Sequence, residues 1–157
     1  MSAPSYVRWF SDIRLEDVPL VGGKNASLGE LYSALSVEDV RVPNGFALTA
    51  AAYRDALAQA GAETKLRELL DGLDTGNVDV LMNRSALARE IVYEATSGEE
   101  LRRQITNGYR LLETQYGSGC AVAVRSSATA EDLPTASFAG QQESFLNVRG
   151  TAFVVEA

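Results

Sequence analysis

The sequence predicts an α+β domain, and three observations carry that expectation. Strand-like runs are short and few: Phe46-Ala47-Leu48, Ala121 to Val124, and Glu143 to Val148, each bounded by turn formers. Helical periodicity dominates the stretch between the first two. The chain also shows no internal repeat, low-complexity tract or linker, and its 157 residues fit one domain that buries roughly 68–70% of its unfolded surface.

Taken in order, Trp9 to Leu20 is a mixed segment ending in Pro19, expected as a short strand and a turn. From Asn25 the pattern turns helical, with Leu28, Leu31, Tyr32 and Leu35 at i, i+3, i+4 and i+7 as one apolar stripe, and Ser27-x-x-Glu30 reads as a capping box. Pro43-Asn44-Gly45 is a turn before the strand Phe46 to Leu48, and Thr49 then caps a helix that runs to about Ala60 and closes at Gly61. Glu63 to Leu70 and Val78 to Glu94 read as two further helices, punctuated by Asp71-Gly72 and Thr75-Gly76-Asn77. Ser97-x-x-Glu100 is a second capping box, opening a helix with Leu101, Ile105, Leu112 and Tyr116 on one face and Gly117 at its end. Strand Ala121 to Val124, a loop from Ser126 to Gly140, and strand Glu143 to Val148 complete the order.

Composition narrows the function classes. A net charge of −7 argues against nucleic acid as a partner, because a phosphate backbone rewards basic surface. No apolar run approaches the ~18 residues that cross a bilayer. The N-terminal MSAPSYVRWF lacks a basic segment followed by an apolar one, so no secretory signal and no membrane partner are expected. The single Cys120 excludes an internal disulfide and a zinc site, and a reduced, cytoplasmic setting is the simplest expectation. Histidine is absent, which rules out Ser/His/Asp and Cys/His catalysis.

Two segments seek phosphate. Val124 to Gly150 delivers Arg125 from a strand end into a loop built almost wholly of Ser, Thr, Ala and Gly, whose small side chains let backbone N–H groups approach a polyanion. Val21 to Leu31 sets Lys24 directly after Gly22-Gly23 at a helix start, where free N–H groups and the dipole favour an anion. Each has a plain alternative. Gly22-Gly23-Lys24 is not a Walker A loop, since Val18 stands where that pattern needs Gly and Asn25 where it needs Ser or Thr; bare, it reads as a solvated turn. Arg125 bare could pair with Glu131 or Asp132, two carboxylates that read as solvated charge. Trp9, Phe46, Phe138 and Phe145 read as core or lid packing.

Three blocks carry a family resemblance: VGGKNASLGEL, VRVPNGFALTAAAY (Val40 to Tyr53) and AVRSSATAEDLPTASFAGQQESFLNV (Ala123 to Val148). Together they resemble the N-terminal nucleotide-binding region of the phosphoenolpyruvate synthases (pyruvate, water dikinases), relatives of pyruvate phosphate dikinase and the rifamycin phosphotransferases. The likeness runs from about Trp9 to Gly150, with residues 61–119 matching only in helical pattern. It implies the first lobe of an ATP-grasp-like fold, a mixed sheet with a helical middle section, in which Lys24 and Arg125 bind ATP phosphates. Ser137, Ala139 and Gly140 would then supply backbone N–H groups from a lid, and Gln141 and Gln142 either line its wall or open the next strand. Mg2+ accompanies the nucleotide, with its ligands expected outside this chain.

The family's phosphohistidine cannot form on a chain without histidine, so no catalytic residue is expected in this one. The resemblance therefore implies residues 1–150 as an incomplete ATP-binding domain and 151–157 as a divergent tail, the ATP-binding portion of an enzyme of pyruvate metabolism and gluconeogenesis that is inactive alone. It also implies self-association through exposed strands, or a second chain carrying the missing domains. Two other readings stand beside it: the ATP-binding lobe of an antibiotic (rifamycin-type) phosphotransferase, and a non-catalytic ATP-binding or regulatory partner of a separate chain. VGGKNASLGEL followed by VPNGFA favours the synthase.

Overall fold

The structure is a computed structural model that describes residues 5–37, 40–129 and 143–157. It is an α+β fold whose contacts divide the chain into two compact units, Met1–Ala51 with Arg102–Ala157, and Ala52–Leu101. In the first unit the strand β1 (Val7–Trp9) leads through two short 3-10 turns into α1 (Val18–Val21), α2 (Gly23–Val37) and strand β2 (Phe46–Leu48). Helices α3 (Ala50–Gln59), α4 (Ala62–Leu70), α5 (Val78–Ala95) and α6 (Glu99–Tyr116) follow, and the boundaries of the two units fall within α3 and α6 in sequence. The chain returns through β3 (Val122–Arg125), β4 (Ser144–Val148) and α7 (Thr151–Glu156).

Among the described residues the strands form two separate antiparallel pairs, β1 with β2 and β3 with β4. Register in the first sets Arg8 opposite Ala47. In the second, Val124 faces Phe145 and Arg125 faces Ser144, while Val122 faces Val148. Leu146 and Asn147 therefore oppose Ala123 alone, a bulge in which Asn147 takes φ 57°. Asn is among the few residues that tolerate that conformation.

The core of the first unit gathers Ile13, Val21, Ala26 and Ala47, with Phe10, Val18 and Leu20 against them. The helix expected from Asn25 is present, but it starts at Gly23 and turns a different face inward. Leu31, on the expected apolar stripe, is 49% exposed, whereas Ala26 is fully buried. The reason is proximity: a Cβ on Gly29 would lie 2.6 Å from the Ile13 Cβ, so this helix packs through small residues. Glycine inside a helix costs about 1 kcal/mol relative to alanine, which the close packing here offsets. Ser27 is consequently interior to α2 and not a cap, and the Glu30 carboxylate instead accepts from Leu15 N at 3.3 Å.

Helix α6 buries Leu101, Gly108, Tyr109 and Leu112, while Tyr116, expected on that face, is 51% exposed. Tyr116 reaches out to a turn, where its hydroxyl accepts from Asn44 N at 2.6 Å. Phe46 packs edge-on to Trp9, with ring centres 5.6 Å apart, and sits where a Cβ on Gly108 would be 2.8 Å from its ring. Phe145 is exposed and so is not core; Phe138 lies outside the described residues. The second unit has its own core of Leu57, Ala62 and Ala95, flanked by Leu66, Ile91 and Val92. Gly61 at φ 61° turns α3 into α4, the Asn77 side chain caps α5 by accepting from Val80 N, and Arg84 donates to the Leu69 and Asp71 carbonyls at the end of α4.

Tyr109 ties α6 to the β3–β4 pair. Its fully buried hydroxyl donates to the Cys120 carbonyl at 2.9 Å and accepts from Gly150 N at 2.8 Å, so it holds both the entry to β3 and the exit from β4. Removing it leaves two backbone groups without that partner, and buried orphans cost about 1–3 kcal/mol each. Tyr109→Phe is therefore expected to destabilise the first unit by about 2 kcal/mol. Urea titration followed through the fluorescence of Trp9, the chain's one tryptophan, reads that unit. An unchanged midpoint would show that water replaces the hydroxyl at no cost.

Candidate nucleotide-binding site

Pro19 sits in the first turn of α1, where its missing N–H has no helical partner to lose. That helix lasts one turn, because Gly22 takes φ 81° and ψ 161°, a conformation open chiefly to glycine. Gly22 N donates to the Val18 carbonyl and Gly22 O accepts from Ala26 N at 3.0 Å, so one residue closes α1 and opens α2. Lys24 follows in the first turn of α2 and is half-buried. The break leaves the Val21 carbonyl to side chains: it accepts from the Asn25 amide at 2.8 Å and from the Ser127 hydroxyl at 3.0 Å.

That last bond joins the two phosphate-seeking segments, which lie 106 positions apart in sequence. A Cβ placed on Gly22 would overlap the Ser127 hydroxyl and lie 2.9 Å from the Ala128 carbonyl oxygen, so the two backbones meet with no room for a side chain. Arg125 ends β3 two residues before this contact, exposed and paired in register with Ser144. Lys24 stands two residues past the contact on the other segment. Backbone reach then holds the Lys24 and Arg125 Cα atoms within about 20 Å of each other. Two cationic residues thus flank one junction, and the α2 N-terminus adds N–H groups favourable to an anion.

Ser137, Ala139, Gly140, Gln141 and Gln142 fall outside the described residues, as do Glu131 and Asp132. Sequence reasoning singled out Lys24 and Arg125 but not Ser127 or the Val21 carbonyl, which the structure places between their two segments. One serine in a run of small residues carries no signal of its own; the glycine pair before Lys24 did, since Gly22 marks a place where another chain segment comes close. Among the described residues no group of three or more His, Cys, Asp or Glu side chains could hold a metal ion, and no helix is long and apolar enough to cross a membrane.

The chain belongs to the family of pyruvate phosphate dikinase AMP/ATP-binding domains, whose sequence pattern matches residues 18–157. Nucleotide binding is thus its functional class, and the match runs through α7. Its relatives include the phosphoenolpyruvate synthases of Helicobacter pylori, 47% identical over 92% of this chain, and Pseudomonas aeruginosa, 49% identical over 97%. The Escherichia coli phosphoenolpyruvate synthase is 46% identical over 96% of the chain. The chain spans only 18–19% of the length of these three relatives.

Gly22 should be the least replaceable residue of the junction. Gly22→Ala adds a side chain at positive φ into space held by Ser127 and Ala128, and strained positions cost about 1–3 kcal/mol. The expected outcome is a lowered melting temperature, with part of the loss recovered in Gly22→Ala/Ser127→Ala because the hydroxyl overlap is removed while the Ala128 carbonyl remains. A double-mutant cycle checks the coupling. Strict additivity would show that the two segments do not meet as described.

Proposed function

We propose that this chain is the ATP-binding portion of a phosphoenolpyruvate synthase, in which pyruvate, ATP and water give phosphoenolpyruvate, AMP and phosphate. Lys24 and Arg125 bind the ATP phosphates, and Ser137, Ala139 and Gly140 offer backbone N–H groups from the loop that follows Arg125, with Gln141 and Gln142 beside them. The observation that supports this most is the Gly22–Ser127 contact, because it brings the two cation-bearing segments to one junction. Phosphoryl transfer depends chiefly on positioning and on stabilising charge, and both are what such a junction supplies.

Arginine suits the task through a rigid fork that matches phosphate oxygens, and lysine through a compact charge at a helix start. Magnesium accompanies the nucleotide, with its protein ligands outside this chain. The chain works in the cytoplasm, where ATP is available. The nucleotide domain takes in residues 1–150 and, as a divergent tail, 151–157, which the family pattern still covers. The shared length and identity with synthases favour this reading over an antibiotic phosphotransferase.

Charge-assisted hydrogen bonds contribute roughly 1.5–3 kcal/mol each. Arg125→Ala is accordingly expected to weaken Mg-ATP binding by about 10- to 150-fold, with Lys24→Ala falling in a similar range. NMR titration of the wild-type chain and both variants measures this. Unchanged affinity in both variants would place the nucleotide elsewhere.

A further inference from the structure

We propose that Ser127 is a positioning residue whose hydroxyl, by donating to the Val21 carbonyl, sets the spacing of Arg125 from Lys24 before nucleotide arrives. The inference rests on the reading of those two cations as phosphate ligands. Its anchor is firm: the Val21 side chain is 3% exposed and belongs to the core cluster with Ile13, Ala26 and Ala47. Its acceptor is local in origin, because the helix break at Gly22 turns the Val21 carbonyl over to side-chain donors. The bare backbone of Gly22 leaves space for a hydroxyl on Ser127, and the Ala128 carbonyl closes the far side. On the other segment Arg125 is still held by β4 through its register with Ser144, but β3 ends there. Beyond that point the Ser127 bond ties this segment to the core-anchored turn before Lys24.

The geometry separates positioning from stability. Without the Ser127 hydroxyl the Val21 carbonyl keeps its bond from the Asn25 amide at 2.8 Å, so no buried orphan is created. Strand pairing and the Tyr109 tie are likewise untouched. What is loosened is the relation of the two phosphate-binding segments, and pre-organisation of that kind shows in affinity. Threonine keeps the hydroxyl and serves as the conservative control.

The test compares the wild-type chain, Ser127→Ala and Ser127→Thr by NMR titration with Mg-ATP, inorganic tripolyphosphate and adenosine, alongside thermal unfolding without ligand. Ser127→Ala is expected to weaken ATP and tripolyphosphate alike by about two- to tenfold. Adenosine binding should not change, the melting temperature should move by no more than about 2 °C, and Ser127→Thr should bind like wild type. Equal affinity of Ser127→Ala and wild type would overturn the positioning role while leaving the phosphate site standing. A large drop in melting temperature with unchanged affinity of the folded protein would overturn it in favour of a structural role. A wild-type chain that binds neither ATP nor tripolyphosphate would overturn the underlying site.

Discussion

The close approach of Gly22 to Ser127 and Ala128 is the constraint on which the site depends. It requires glycine twice over, once for a backbone at φ 81° and once because no Cβ fits between the two segments. The same glycine ends α1, opens α2 and frees the Val21 carbonyl for Asn25 and Ser127. Remove it and the placement of Lys24, the course of the chain after Arg125, and the link between them change together. Few residues in a small fold carry so many roles without contributing a side chain.

The scaffold explains why that junction can be rigid. Residues 10–17 pack onto the small-residue face of α2, with Ile13 seated over Gly29, and this fixes the axis from which Lys24 emerges. At the other end Tyr109 pins the start of β3 and the end of β4 to α6, and Arg149 adds a bond to the Gly119 carbonyl at 2.6 Å. Each phosphate-seeking segment therefore grows from its own buried anchor, and the Ser127–Val21 hydrogen bond and the tight Gly22–Ala128 backbone contact join them. Such an arrangement suits a site in which charge must be placed accurately before a flexible polyanion enters.

Much of this was legible in the sequence, though unevenly. Helix ends marked by Gly61, Asn77 and Gly117 fell where turn chemistry put them, and the strand Phe46 to Leu48 was found residue for residue. The inward face of α2 was misread because apolar periodicity assumes large residues at an interface, whereas here closeness selects Ala26 and Gly29. Tyr109 escaped notice because its worth lies in a hydroxyl that meets backbone groups 11 and 41 positions away. Ser127 was hidden for the same reason: long-range polar contacts leave no local period. Lys24 and Arg125 were visible through glycine context and strand-end position, while the tie between them was not.

The central claim is that two segments far apart in sequence form one phosphate-binding unit. A crystal structure of the chain with bound Mg-ATP tests it most directly. The account predicts a single triphosphate contacted by both the Lys24 ammonium and the Arg125 guanidinium, with the charged ends on the order of 10 Å apart or less across the phosphate chain. A nucleotide held by only one of them, or seated away from the Gly22–Ser127 junction, would contradict it.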